Sequence, residues 1–149
     1  MYDTKIIQHV IPIKVGVKPY QQPLRKMHPN LEPLTQSEVK KLLDAKIIFK
    51  VRHSEWVSNL VPVRKNSGEI KLSVDFRNLN RASDKDNYPV PPMEKILQMV
   101  SGLELFSLLD GFSGYNQVLV AEEDRLKTTF RTKWGTFVYI RMPFGLING

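Results

Sequence analysis

Cysteine is absent from the 149 residues, which excludes disulfides, thiolate metal sites and thiol nucleophiles. Long apolar runs are absent too. The longest are strand-sized, well short of the roughly 20 residues a membrane helix needs. The opening MYDTKIIQHV lacks the charged-then-apolar pattern of a signal peptide, so an intracellular, soluble protein is expected. The three histidines, His9, His28 and His53, are scattered without metal-ligand spacing and read as structural or solvated. No internal repeat or low-complexity tract occurs. Negative charge is in deficit, 15 acidic against 22 basic side chains, for a net charge of +7. A basic balance of this size favours polyanionic partners, because Lys and Arg that neutralise phosphates release counterions. A merely solvated basic surface is the plainer alternative. With 42% hydrophobic residues the chain is long enough for one domain with a real core, or for one piece of a larger domain.

Residues 1–34 are punctuated by prolines at 12, 19, 23, 29 and 33, which exclude a long helix and favour an extended arm with short edge strands. Lys14, Lys18, Arg25 and Lys26 make that arm basic. Thr35 with Glu38 is a capping-box pattern, and Val39, Leu42, Leu43 and Ile47 follow at helical spacing. Residues 56–63 read as a strand placed at an edge by Pro62. Asn66-Ser67-Gly68 is a turn signal, and residues 70–76 return as the second strand of a hairpin. Around its tip Arg64, Lys65 and Lys71 either discourage edge pairing or grip a phosphate. A polar connector follows. Pro92 opens a helix whose stripe of Met93, Ile96, Leu97 and Val100 reads as core, and Gly102 ends it. Residues 103–109 read as a buried strand and 117–120 as a short one, with a polar turn after it. A hairpin over 128–131 and 136–141 closes around Trp134-Gly135. Without strict alternation of strand and helix, the class is α+β with a mainly antiparallel sheet.

The chemistry-bearing stretch is FSLLDGFSGY, residues 106–115. A carboxylate ending a buried strand can hold a hard divalent cation, and two such ions serve phosphoryl transfer. Amides of the Gly111–Gly114 turn can face phosphate oxygens, and Tyr115 offers a ring on which a sugar or base can rest. Each feature has a plain alternative: Asp110 as a cap, the glycines as a turn, Tyr115 as core.

The ordered set LVPVRKNSGEIKLSVDFRNLN, NYPVPP, SLLDGFSGYNQV and FRTKWGTFVYIRMPFGLIN resembles the reverse transcriptase of retroviruses and retrotransposons, the Ty3/gypsy class above all. The resemblance runs over nearly the whole chain. It implies the fingers and a partial palm of a right-hand polymerase over residues 35–149, with 1–34 as a connector-like arm from the protease side of a Pol polyprotein. It implies that the 61–76 hairpin closes over an incoming deoxynucleoside triphosphate. Arg64 or Lys65, with Lys71, would neutralise that triphosphate, and the Ser113 and Gly114 amides would contact it. Phe144 would shape the nucleotide pocket. Asp110 would be the first catalytic metal-binding aspartate, with the Gly111 carbonyl a further ligand, in a site of two Mg2+ ions. Tyr115 would pack under the sugar and screen out a 2′-hydroxyl. Arg77 and Asn78 would lie near the template. The implied partners are an RNA or DNA template-primer, deoxynucleotides, and the remaining palm, thumb and ribonuclease H segments. No membrane is implied. The implied location is a cytoplasmic virus-like particle or the nucleus.

Departures set further expectations. Lys71 stands where arginine is usual, which keeps the charge but loses the bidentate fork. Lys46 replaces a helix-ending glycine, and Gly149 an alanine. The second metal motif of the family, aromatic-X-Asp-Asp, does not occur in these residues. The 149 residues alone are therefore expected not to polymerise DNA, and apolar surface is expected around 105–109 and 144–147. The alternative is a non-catalytic, decayed retroelement remnant that at most binds nucleic acid. An unrelated basic binding module is a third reading.

Overall fold

Lys65 and Glu69 bracket the turn that organises the sheet. The Gly68 amide donates to the Lys65 carbonyl at 2.9 Å and the Lys65 amide to the Glu69 carbonyl at 2.8 Å. Gly68 supplies the φ of +87° this geometry needs, a conformation costly for any side chain. The computed structural model describes residues 7–103 and 116–149. The turn joins β2 (Ser58–Arg64) to β3 (Ile70–Val74), and with β1 (Ile48–Val51), β4 (Phe130–Thr132) and β5 (Gly135–Tyr139) these strands form one sheet in the order β1-β5-β4-β2-β3. All pairings are antiparallel except β2 with β4, so the architecture is the expected α+β with a mostly antiparallel sheet.

Helix α1 (Glu32–Asp44) starts before the expected capping box, with Pro33 in its first turn, where a missing N–H costs nothing. Thr35 lies inside the helix and its Oγ1 donates to the Leu31 carbonyl at 2.6 Å. The connector after β3 is partly helical: α2 (Arg77–Ala82) buries Leu79 and Ala82. The expected polar turn after residue 120 is a 3-10 helix, Glu122–Thr128. Residues 117–120 make no strand. Leu119 bridges Arg141, and Val120 bridges His9. Strand β2 is internal rather than at the edge. Pro62 is tolerated because β2 pairs β4 only at Ser58 and Asn59, so its absent N–H falls past that ladder.

Phe130 and Phe137 centre the core. Both are almost fully buried, with ring centroids 5.6 Å apart, and Tyr139 stands 5.3 Å from Phe130. Phe76, Leu79, Val39 and Ile11 close the cluster from α2, α1 and the arm. Helix α3 (Met93–Val100) contributes nothing buried. Its Met93, Ile96 and Leu97 are exposed, contrary to the core expected of that stripe. Among the described residues the core cluster includes no residue of α3.

The arm is stitched to the domain. The His9 amide donates to the Leu119 carbonyl, that of Lys14 to Ala82, and that of Gln22 to Val57, each at 2.8 Å. The Ile11 amide donates to the buried Asp124 carboxylate at 2.7 Å, and Lys127 Nζ bridges Asp124 to the Ile11 carbonyl.

Helix α1 ends in a Schellman motif. The Ile47 amide reaches the Leu42 carbonyl and the Lys46 amide the Leu43 carbonyl, both at 3.0 Å, with Lys46 at the left-handed position, φ +54°. A side chain there costs about 1–2 kcal/mol. Lys46→Gly is expected to raise the unfolding free energy by about 1 kcal/mol after glycine's extra unfolded-state freedom. Urea denaturation reads this, and no gain relative to Lys46→Ala would rule out strain at this cap.

Candidate nucleotide and nucleic-acid interface

Strand alternation sorts the cations of the hairpin. Lys71 lies opposite Val63 and Arg64 opposite Ile70, so Lys71 and Arg64 leave the hairpin on opposite faces. Lys65, one residue on, shares the face of Lys71, and its ammonium pairs with Glu69 at 3.2 Å. Lys71 Nζ sits 4.6 Å from the centre of the Phe144 ring, within cation–π range. Two residues singled out from separate motifs thus meet.

The loop that presents Phe144 is pinned from α2 and the connector. Asn80 Nδ2 donates to the Gly145 carbonyl at 2.8 Å, and the Ile147 amide donates to Asn80 Oδ1 at 3.0 Å. Asn148 repeats the device, donating to the Asp84 carbonyl and accepting from the Asp86 amide. Gly145, at φ +100° against the Phe76 ring, has the conformation that favours glycine. Phe144 and Ile147 are exposed, as expected for 144–147, whereas Leu146 between them turns inward and joins the core. The cradling role of Asn80 has no local sequence signal. It sits inside the VDFRNLN motif, and no local pattern shows that its amide reaches across to residues 145–147.

A second group forms at the start of α2. Arg77 grips Asp75 with two hydrogen bonds, Nε to Oδ1 at 2.7 Å and Nη2 to Oδ2 at 2.6 Å. Those bonds hold the Asp75 carboxyl below the usual carboxylate range, against the opposing effect of burial, and raise the Arg77 guanidinium. Arg25 of the arm stands 4.0 Å from the same carboxylate. Asn78, beside Arg77, accepts from Gln22 Nε2 at 2.8 Å, so one face of its amide is engaged within the protein.

Asp110, Gly111, Ser113, Gly114 and Tyr115, and the apolar surface expected around 105–109, lie outside the described residues. Among the described residues, no three His, Cys, Asp or Glu side chains cluster as a metal site, and no helix is long and apolar enough to cross a membrane. A cavity of about 660 Å³ opens between residues 52–57 and the 3-10 helix, lined by Arg52, Trp56 and Lys127 among others. It includes none of the nucleotide-, template- or metal-site residues expected from the sequence, though His53 lines it.

No family model matches the chain. The retrovirus-related Pol polyprotein from transposon 297 of Drosophila melanogaster is 31% identical over 151 residues, covering 97% of this chain and 14% of that protein. The gypsy Pol polyprotein of the same organism is 42% identical over 52% of the chain and 8% of its own length. An RNA-directed DNA polymerase homolog of Oenothera berteroana is 37% identical over 53% of the chain and 56% of that protein. The chain therefore spans about one seventh of the 297 polyprotein and just over half of the Oenothera protein. Among solved structures, a prototype foamy virus protease-reverse transcriptase superposes with a TM-score of 0.79, at 20% identity over 91% of this chain and 18% of that one. A foamy viral protease-reverse transcriptase in complex with RNA/DNA hybrid gives 0.78 at 20% identity, over 97% of this chain and 19% of that one. The chain is homologous to a segment of the retrovirus-related Pol polyproteins of retrotransposons, the gypsy type among them, and carries the reverse transcriptase fold.

Proposed function

We propose that the chain is the fingers and partial palm of an RNA-directed DNA polymerase that transfers deoxynucleotides to a DNA 3′ end on an RNA or DNA template. The observation that supports it most is the junction of Lys71 with Phe144. A basic hairpin and an aromatic loop, remote in sequence, make one surface with a cation beside a flat apolar face, which suits a triphosphate and its base. Phosphoryl transfer needs positioning and charge neutralisation more than covalent chemistry, so the roles of the chain's own residues are to bind and orient. Lys71 and Lys65 would hold phosphate charge and Phe144 the nucleotide. Ser113 and Gly114 amides would hold triphosphate oxygens, and Tyr115 would exclude a 2′-hydroxyl. Arg77 and Asn78 would face the template. Asp110 and the Gly111 carbonyl would hold Mg2+, whose contribution when bound is to neutralise charge on the reacting oxygens. The remaining carboxylates would come from other segments of a polyprotein acting inside the cell, in a virus-like particle or the nucleus.

The test has two arms. The 149-residue chain is expected to bind an RNA/DNA hybrid with an affinity that falls steeply between 50 and 200 mM salt, and not to extend a primer. A polypeptide continued through an aromatic-X-Asp-Asp turn, where the coding sequence has one, is expected to extend it. No hybrid binding by the chain would sink the polymerase reading. Binding without synthesis in the longer polypeptide would favour the decayed remnant.

A further inference from the structure

The connection from β1 to β2, residues 52–57, is fastened on two sides. Ser54 Oγ donates to the Leu126 carbonyl of the 3-10 helix at 2.8 Å, and the Ser54 carbonyl accepts from Gln21 Nε2 of the arm at 2.9 Å. The cleft of about 660 Å³ between this connection and the 3-10 helix is therefore preformed, and its volume is that of a ligand site. Arg131 enters it from β4. The flanking Phe130 and Thr132 are buried, so strand alternation turns Arg131 to the face away from the core, opposite Thr136 of β5. Arg52 lines the cleft from the end of β1. Among the described residues neither guanidinium has a hydrogen bond or an ion pair. Lys127, by contrast, is committed to Asp124 and the Ile11 carbonyl. A half-buried guanidinium such as that of Arg131, with no partner inside the protein, is unfavourable until a ligand supplies one.

We propose that this cleft binds an extended acidic segment of a protein partner, its carboxylates held by Arg52 and Arg131. Guanidinium forks match carboxylates bidentately. Two features favour a peptide over a nucleic-acid strand. Trp56, the aromatic side chain of the lining, is 8% exposed, so it offers little face for a base to stack on. Glu55 and Glu123 also line the cleft and break the continuous positive track that a polyanion follows. An isolated carboxylate passes between them, and the backbone N–H groups of a peptide can donate to them. The net charge of +7 adds a long-range attraction for acidic partners. The cleft shares no residue with the Lys71–Phe144 surface, so its ligand is independent of the polymerase reading.

The experiment uses the 149-residue chain and a fluorescein-labelled ten-residue peptide of alternating Ser and Glu, read by anisotropy at 50 mM salt. The same peptide with Gln for Glu is expected to bind at least about 10-fold more weakly. Arg52→Gln and Arg131→Gln are each expected to weaken binding of the Glu peptide about 3–10-fold. Lys40→Gln removes an exposed charge from α1 and is expected to stay within about twofold of the parent. Arg52 is exposed, so its variant is expected to melt with the parent and to report binding even if Arg131→Gln lowers the Tm. No binding of the Glu peptide by the parent overturns the proposal, as does a loss in Lys40→Gln equal to that in Arg52→Gln. An equal loss in both arginine variants with single-stranded RNA as the probe overturns the assignment to a protein segment. Displacement of the peptide by free glutamate at the peptide's own concentration overturns it too, since the site is then one for a small carboxylate.

Discussion

Gln22→Ala is expected to lower the unfolding free energy by about 2–4 kcal/mol, a drop in Tm of roughly 6–12 °C for a chain of this size. Gln22 is 7% exposed and its amide makes three hydrogen bonds. Nε2 donates to the Asp75 carbonyl at 2.9 Å and to Asn78 Oδ1 at 2.8 Å, and Oε1 accepts from the Asn59 amide at 2.9 Å. Truncation strands two acceptors and one donor where water enters poorly, and each such group costs about 1–3 kcal/mol when fully buried. Partial access for Asn78 keeps the sum below the simple total. The control is the adjacent Gln21→Ala. Gln21 is exposed and its Nε2 donates to the Ser54 carbonyl at 2.9 Å, so its loss is expected to cost about 0.5 kcal/mol or less. Urea denaturation of both variants decides the matter. Equal midpoints would mean that the arm contributes little to the fold, and that the amide network is not what ties it to β2 and α2.

Asp110→Asn, made in a polypeptide that synthesises DNA, is expected to reduce synthesis by about 10³-fold or more while leaving template-primer affinity within about twofold. The first figure follows from the cost of removing one group from a preorganised charge-stabilising site. The second follows from the dominance of phosphate contacts by Lys and Arg in affinity. The substitution keeps the size, removes the charge and replaces one acceptor oxygen by an NH2 donor, so it cannot hold a cation as the carboxylate does. Single-turnover primer extension and equilibrium binding of the same preparation separate the two effects. Synthesis within tenfold of the parent would remove Asp110 from the metal site. A matching loss of binding would make it a structural residue instead.

Much of the fold was legible from turn and pattern chemistry. Asn66-Ser67-Gly68 marks the β2–β3 turn because glycine alone enters its φ at no cost, and the β4–β5 hairpin shows in its flanking apolar residues around Trp134-Gly135. Where local signals compete, the sequence pattern alone does not decide between them. Thr35 with Glu38 resembles a cap, yet Pro33 fits a first turn and α1 begins before it. The stripe of α3 has the spacing of a core face, but spacing says only that a face is apolar, not that anything covers it. In the candidate site, Lys71 and Phe144 were separately named. That they touch depends on Asn80 holding the 145–147 backbone, and an amide reaching across the fold leaves no periodic trace.

The sequence by itself determined the basic charge, the absence of thiol chemistry, the hairpin, and the ordered motifs by which the chain resembles reverse transcriptase. These are properties of composition and of residues close together in the chain, where sterics and turn geometry act. Tertiary structure decided that the arm is part of the folded unit through Gln22, Asn59 and Asp124, that Arg25 and Arg77 share one carboxylate, and that α3 stands outside the core. The physical reason is common to all three. A buried amide, a shared counter-charge or a covered face is a relation between segments distant in the chain, settled by which surfaces pack and which polar groups must then find partners.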